Sequence, residues 1–419
     1  MSDQSAVPQL SNTARIAVLV TAFSGLVFDG FELGLMPVAS LSVSKSLLGS
    51  GYTDQLGGLW FARFTAAMML GAAIGGIALG ALGDRIGRAR AMGISILFYS
   101  CFAGIGAFVR SQEQMLLLRF FVGLGVGGMW PNGVALVSEC WPNASRPVIA
   151  GIMGAGINIG LLILAQIGEI WPLAPDSWRW IFQLAAIPAV IGVLAITVLP
   201  ESPRWLAVRT ATRTASAPLR ELFESHLVRI TLTAILLSSI PLVGAWAGGK
   251  WMIPWADEVG GRVHSSYKAT VLGWWAAGAT LGSFFGAPIA HALGRRKAYL
   301  LYSVGATALT WAMFTLTAPL EPSFKPIVFI QGFVATLFFG WLPLYLPEMF
   351  PTRVRATGSG LAMNFGRFAT AAGVFFAGIL FAAFGGDYSK LGAATSLVYA
   401  TGVLAIWLAP ATERIELSD

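Results

Sequence analysis

The amino-acid sequence predicts an all-α membrane protein with twelve transmembrane helices, arranged as two six-helix pseudo-repeats. The first observation is the composition: 56% of the 419 residues are hydrophobic and 11% are charged, whereas a typical soluble domain is about 25% charged. The second is that apolar stretches of about 20 residues, the length that spans a bilayer, recur along the chain. The third is that a short polar motif occurs twice, once in each half of the sequence.

Twelve apolar stretches are long enough to span a bilayer. They cover residues 16–41, 56–82, 92–110, 114–139, 147–170, 179–199, 226–248, 268–291, 298–318, 327–349, 356–384 and 390–410. Arginines concentrate in alternate connections, around residues 85–90, 204–220, 295–297 and 353–355. By the positive-inside rule these connections face the cytoplasm. With an even number of spans, both termini are predicted to be cytoplasmic, in an inner or plasma membrane.

The repeated motif relates the two halves. Glu-x-x-Pro-x-x-x-Arg occurs at residues 139–146 and again at 348–355, an offset of 209 (348 − 139 and 355 − 146). The repeat predicts an N-terminal half at 1–199, a cytoplasmic linker at 200–225 and a C-terminal half at 226–419. Parallel repeats of this kind occur in one large class of secondary transporters, in which the binding site lies between the halves.

Two acidic residues, Asp29 and Glu32, lie inside the first apolar stretch. A charged group at bilayer depth is costly, so such residues are usually functional. Three residues apart, the two side chains share one face of a helix. Neighbouring acids in a medium of low dielectric cannot both ionise cheaply, so one is expected to carry a proton. The alternative is that both acids only satisfy local backbone or packing polarity.

Arg119 lies in the fourth stretch, one or two turns inside its outer end. It either reaches to the membrane surface or pairs with an acid of the first stretch, because a buried guanidinium needs a fixed partner. At a rise of about 1.5 Å per residue, Glu32 lies roughly 4–5 Å nearer the outside than Asp29. Glu32 is therefore the predicted partner of Arg119, and Asp29 is the predicted proton carrier.

Arg367 lies eleven residues inside the eleventh stretch (367 − 356), and Asn364 is on the same helix face. A fixed guanidinium in a central cavity binds a carboxylate through two parallel hydrogen bonds. The alternative is a structural pair with an acid. Other candidates for substrate contacts are polar or aromatic residues of the spans: Gln331, Asn158, Gln166, Trp341, Tyr345, Trp274 and Trp275.

The connection between the second and third stretches resembles the signature of the major facilitator superfamily, Gly-x-x-x-Asp-Arg-x-Gly-Arg-(Arg/Lys). The match begins at Gly80, with Ala89 in place of the last basic residue, and in the second half His291 replaces the Asp. The resemblance implies the major facilitator fold and a cytoplasmic gate; an ordinary positive-inside loop is the alternative. The gate residues would be Gly83, Asp84, Arg85, Gly87, Arg88, Glu139, Arg146, Glu348 and Arg355.

The sequence Asp-Gly-Phe-Glu at 29–32 resembles the Asp-Gly-(Tyr/Phe)-Asp motif of the aromatic acid/proton symporters, with Glu in the second acidic position. Residues 128–139 and 355–367 resemble the same group. This resemblance implies proton-coupled symport of a small organic anion, aromatic or another monocarboxylate, by alternating access. Alternatives are a sugar or organic-cation transporter, a proton-driven drug exporter, or a non-transporting membrane sensor.

Other function classes lack their motifs. The sequence has no Gly-Lys-Ser/Thr phosphate loop, no metal-ligand cluster and no nucleophile–base set, so neither an enzyme nor a cofactor or metal is predicted. The basic residues lie in short loops instead of one patch, which argues against a nucleic-acid partner. The expected partners are a small-molecule substrate, protons and the lipid bilayer, and the chain is expected to be a monomer.

Overall fold

The computed structural model describes residues 10–141, 146–210, 219–225, 227–351 and 354–410. Within these residues the secondary structure is helical, without strands. Twelve helical segments have the length of a membrane span. They are α1 (Asn12–Leu48), α2 (Asp54–Ile86), α3 (Arg88–Ile105), α4 (Gln112–Cys140), α5 (Arg146–Ile170), α6 (Arg179–Thr197), α7 (Val228–Gly260), α8 (Tyr267–Leu293), α9 (Arg295–Thr315), α10 (Phe324–Met349), α11 (Arg355–Ala383) and α12 (Tyr388–Ala405).

Ten of these segments in the described residues are long and apolar enough to cross a membrane by composition alone. The other two, α8 and α9, begin with charged or polar residues and are equally helical over their length. The predicted all-α fold with twelve spans is therefore confirmed. A short helix, Pro203–Thr210, follows α6 in the predicted linker, of which residues 211–218 lie outside the described residues.

Two of the spans are interrupted where their sequences disfavour a continuous α-helix. α6 consists of Arg179–Leu184 and Ala189–Thr197, and Pro188 at the break cannot donate a backbone hydrogen bond. α7 is α-helical to Val243, continues as a π-helical turn over Gly244–Gly248, and becomes α-helical again at Met252. Single π-helical turns within α-helices are frequent at functional sites.

The two halves contact each other extensively at their outer ends. The Gln55 amide of α2 donates to the carbonyl of Ala382 on α11 at 2.9 Å. The rings of Phe61 on α2 and Trp251 on α7 meet edge to face, with centroids 5.0 Å apart. These contacts come from opposite halves of the repeat, so the halves touch each other at the end of the spans where α2 begins.

Candidate functional site

The acidic motif lies in the interior of α1, and both carboxylates are buried: Asp29 is 2% exposed and Glu32 is 1% exposed. Gly30, between them, packs against the backbone of α5. A Cβ at Gly30 would lie 1.9 Å from the carbonyl oxygen of Ile157. Only glycine permits this approach, and small residues allow such contacts between membrane helices. The motif therefore fixes α1 against α5 and places one acid on each side of the contact.

Glu32 forms an ion pair with Arg119 of α4. Arg119 Nη1 lies 3.3 Å from Glu32 Oε2, and both side chains are 1% exposed. The second guanidinium nitrogen donates to the Glu32 backbone carbonyl at 3.3 Å and to the sulfur of Met68 at 3.1 Å. The partner inferred from the helical rise is thus the one that the structure shows. A buried pair of this kind is strongly destabilised when one member is removed.

Asp29 has a different environment, in which its Oδ1 has no hydrogen-bond partner among the described residues. Its carboxylate interacts electrostatically with the guanidinium of Arg367, which belongs to α11 of the other half. Arg367 Nη1 also donates to two backbone carbonyls of the N-terminal half, Ala72 at 3.3 Å and Gly127 at 3.2 Å. Arg367 therefore reaches across the interface into the N-terminal half, within electrostatic range of Asp29 but without a direct ion pair to it among the described residues.

The remaining polar candidates have separate hydrogen-bond partners. Asn158 of α5 is 7% exposed and its amide donates to Ser283 Oγ of α8 at 2.9 Å, linking the halves. Gln331 of α10 is fully buried, accepting from Trp275 Nε1 at 2.8 Å. The Asn364 amide donates to the carbonyl of Gly360, within its own helix, at 2.9 Å. These three residues and Trp275 remain available as substrate contacts.

The last four residues predicted to contact substrate have surroundings different from those above. Gln166 is exposed, and Trp274 is 41% exposed, with its ring against Phe329. Trp341 is buried at the inner end of the C-terminal half, where its indole N–H donates to the backbone carbonyl of Arg295 at 2.8 Å. Tyr345 stacks on Trp341 and donates to the carbonyl of Pro410. Trp341 and Tyr345 thus contact groups of their own half, whereas the Gln166 amide lies 3.8 Å from the position of a Cβ on Gly273 of α8. A role of these four residues in substrate binding stays a prediction.

The residues predicted to form a gate make ion pairs within each half. Arg88 lies 2.6 Å from Asp84 and 3.7 Å from Glu139, whereas Arg295 holds Glu348 through two bonds of 3.1 and 2.9 Å. Arg85 is exposed, and Arg355 begins α11. The side chain of Arg146 lies outside the described residues.

Glu201 is a functional candidate that sequence reasoning missed. Its carboxylate accepts from the backbone N–H groups of Arg88 at 2.7 Å and Ala89 at 3.0 Å, at the start of α3. Carboxylates are stabilising at helix N-termini. Gly87, which precedes α3, has φ +110°, and a Cβ there would lie 2.0 Å from Glu201 Oε2. The repeated Gly-Arg of the loop was visible in the sequence, but its distant carboxylate partner was not.

Residues 17–373 match the sequence profile of the Major Facilitator Superfamily. The chain belongs to the Major Facilitator Superfamily. The prediction of a transporter rather than an enzyme is thereby confirmed, as is that of a multi-pass membrane protein.

Individual relatives match over most of their length. The probable 4-methylmuconolactone transporter of Cupriavidus pinatubonensis is 29% identical over 403 residues, covering 95% of this chain and 91% of the relative. The cis,cis-muconate transport protein of Acinetobacter baylyi is 30% identical over 369 residues, covering 86% of each chain. The fold is similar to the partially occluded inward-open xylose transporter XylE from E. coli, with a TM-score of 0.73, 16% identity, and coverage of 94% and 98% of the two chains.

Proposed function

We propose that this transporter is a proton-coupled symporter that carries a small organic anion by alternating access. The observation that carries the proposal is that Arg367 of the C-terminal half reaches across to the N-terminal half, where it donates to the carbonyls of Ala72 at 3.3 Å and Gly127 at 3.2 Å, near a buried Asp29 whose Oδ1 has no hydrogen-bond partner among the described residues. Parallel-repeat transporters bind their substrates at this interface between the halves. The relatives named for muconate and 4-methylmuconolactone, both of them organic acids or their lactones, support an anionic substrate. A sugar or a cation would gain little from Arg367.

The coupling follows from competition for Arg367. When Asp29 is ionised, its carboxylate attracts the Arg367 guanidinium, and the empty carrier is electrically balanced at this point. When Asp29 takes up a proton, Arg367 loses that negative partner and becomes available to a substrate carboxylate, which it can bind through two hydrogen bonds. Loss of the proton on the other side of the membrane returns Arg367 to Asp29 and releases the anion.

Glu32 and Arg119 have a supporting role in this scheme. Their buried ion pair lies within the N-terminal half, so it does not have to break for Arg367 to exchange partners. The positive charge of Arg119 favours the ionised form of Glu32. A negative Glu32 makes a second negative charge on Asp29 less favourable, because like charges at short range oppose each other. Asp29 is then the acid that takes up and releases the proton.

The sequence repeat also defines the proposed moving units and their orientation in the membrane. The two rocking units are the halves at 1–199 and 226–419, joined by the linker at 200–225. The arginine-rich connections and both termini face the cytoplasm of an inner or plasma membrane. The monomer contains both halves and therefore a complete transport site.

Uptake by the purified protein in proteoliposomes tests the coupling. With an inward proton gradient, the wild-type protein is expected to accumulate labelled cis,cis-muconate above its external concentration. Asp29→Asn removes the titratable group, so accumulation should fall to equilibrium while substrate exchange between the two sides persists. Asp54→Asn, at the outer start of α2, is the matched control and should accumulate substrate like the wild type. Uphill accumulation by Asp29→Asn would contradict the proton assignment.

The anion assignment has its own test. Arg367→Gln removes the guanidinium but keeps a hydrogen-bonding side chain, and it should abolish both uptake and exchange of carboxylates. Arg110→Gln, in the exposed connection before α4, is the control. Persistent carboxylate exchange by Arg367→Gln would refute the role of Arg367 without touching that of Asp29.

A further inference from the structure

α7 buries a lysine that the transport scheme has not used. Lys250 follows the π-helical turn and is 2% exposed. Its Nζ has no hydrogen-bond partner and no ion pair among the residues that the structure describes. A buried ammonium without a partner is costly, by several kcal/mol in typical proteins. The position therefore needs an explanation beyond stability.

Two other buried cations show what a satisfied position looks like. Arg119 is paired with Glu32. Lys268 is also 2% exposed, but its Nζ lies 3.0 Å from Asp257, 3.0 Å from Ser42 Oγ and 3.2 Å from the carbonyl of Leu173. Among the fully buried cations of the described chain, Lys250 is thus the exception, because it has no carboxylate partner.

Aromatic rings surround the Lys250 ammonium. Nζ lies 3.2 Å from the ring centroid of Trp275 and 5.8 Å from that of Trp246. The electron-rich face of an indole attracts a cation, by about 2 kcal/mol when both are desolvated, which is less than a carboxylate provides. Trp275 is therefore a weaker partner for the ammonium than a carboxylate would be. Its own N–H is fixed by Gln331 at 2.8 Å, which orients the ring.

Polar groups converge on the same place. The amide of Gln331 donates to Thr310 Oγ1 at 3.1 Å, and its nitrogen lies 3.2 Å from the position of a Cβ on Gly249, the residue before Lys250. The irregular backbone of α7 at 244–251 leaves the regular hydrogen-bonding pattern of an α-helix. Broken helices beside a buried charge are typical of substrate sites in transporters.

Lys250 and Arg367 lie on adjacent helices of the C-terminal half. Gly366 of α11 packs on Leu242 of α7, and Gly373 packs on Val243. From the level of Leu242 to Lys250 is eight residues (250 − 242), or about 12 Å along the helix. Two long side chains that start this far apart can hold the two ends of one small molecule.

We propose that Lys250 is a second anion-binding subsite and that the substrate is a small dicarboxylate, bound by Arg367 at one end and by Lys250 at the other. The proposal rests on the proposed function, because it extends the same site. When Asp29 carries a proton, the half-buried Arg367 and the buried Lys250 are two cations without a carboxylate partner, and a dicarboxylate supplies two negative charges. The rings of Trp246 and Trp275 would then lie beside the carbon chain, where unsaturated acids pack well.

The test compares two ligands that differ in one charge: cis,cis-muconate and its monomethyl ester. Binding is measured by thermal shift and by inhibition of uptake in proteoliposomes. The wild-type protein is expected to bind the dicarboxylate about tenfold to a hundredfold more tightly than the ester, the range of a charged hydrogen bond. Lys250→Met, which keeps the length of the side chain, should bind both ligands with the affinity of the ester. Lys250→Arg should regain the preference.

Lys390→Met, an exposed lysine at the outer start of α12, is the matched control and should keep the wild-type preference. Equal affinities in the wild type, or an unchanged preference in Lys250→Met, would overturn the subsite while leaving organic-anion transport in place. Binding of neither ligand, together with no response to any carboxylate, would instead overturn the proposed function, and the subsite with it. Size-exclusion profiles identify variants that have not folded. If Lys250→Met does not fold, Lys250→Arg tests the subsite instead: it should keep the preference for the dicarboxylate, and loss of that preference would overturn the subsite.

Discussion

Removing Arg119 should destabilise the protein, because it would leave the Glu32 carboxylate buried without a partner. At the observed 3.3 Å, two unit charges attract each other by about 5 kcal/mol at an effective dielectric constant of 20. Desolvation of both groups offsets much of this attraction in the intact pair. When one partner is deleted, the other charge still has its desolvation penalty but no longer has an attraction to offset it. The expected loss for Arg119→Met is about 3–5 kcal/mol in the free energy of unfolding.

Equilibrium unfolding in mixed micelles, followed by tryptophan fluorescence, measures this loss. Glu32→Gln and the double variant complete a double-mutant cycle. The double variant should lose less than the sum of the single losses, with a coupling of about 2 kcal/mol or more, since neither charge is left alone. Arg110→Met, at an exposed position, should change stability by less than about 0.5 kcal/mol. Additive losses around the cycle would refute the ion pair as a source of stability.

Two glycine substitutions test the packing around the site. Gly30→Ala should strongly reduce the yield of monodisperse protein in size-exclusion chromatography, because its Cβ would overlap a carbonyl of α5; Gly51→Ala, with open space around it, should leave the yield unchanged. Gly87→Ala should lower the thermal midpoint, because φ is positive there and the Cβ would displace Glu201. Gly360→Ala, on an open helix face, should keep or slightly raise the thermal midpoint. A higher midpoint for Gly87→Ala than for Gly360→Ala would refute the strained backbone and close contact described at Gly87.

The sequence predicted those features that depend only on the regular geometry of an α-helix. The length of the apolar stretches determines the number of spans, and the helical rise determines which acid reaches Arg119. Both arguments use regular geometry within one or two helices. The pairing of Glu32 with Arg119 could therefore be predicted, although the role of the pair in transport remains a prediction.

The faces of the membrane helices could not be predicted in the same way. In a soluble helix the polar face points to water, but in a membrane both the lipid-facing and the interior faces are apolar. Trp274 and Trp275 are neighbours in sequence, yet Trp274 is 41% exposed and Trp275 is 7% exposed. Spacing alone gave no reason to prefer one of them.

Lys250 was missed because hydropathy ends the seventh span too early. The apolar stretch stops at residue 248, and the charged residues that follow are typical of an outer loop. In the structure α7 continues through the π-helical turn to Gly260, which brings Lys250 into the interior. The ring that covers the Lys250 ammonium belongs to Trp275 of α8, a contact that no sequence window around residue 250 contains.

The contact between Glu201 and the start of α3 has a mechanical consequence. Ser202 also bonds Glu139, and the indole N–H of Trp205 donates to the carbonyl of Asp84 at 3.0 Å. The beginning of the linker is thereby fastened to the N-terminal half and must travel with it. A spin label at the exposed Arg204 would report the position of that half as a rigid body. Its distance to a second label at Leu293, on the inner end of α8, would follow the opening and closing of the cytoplasmic side directly.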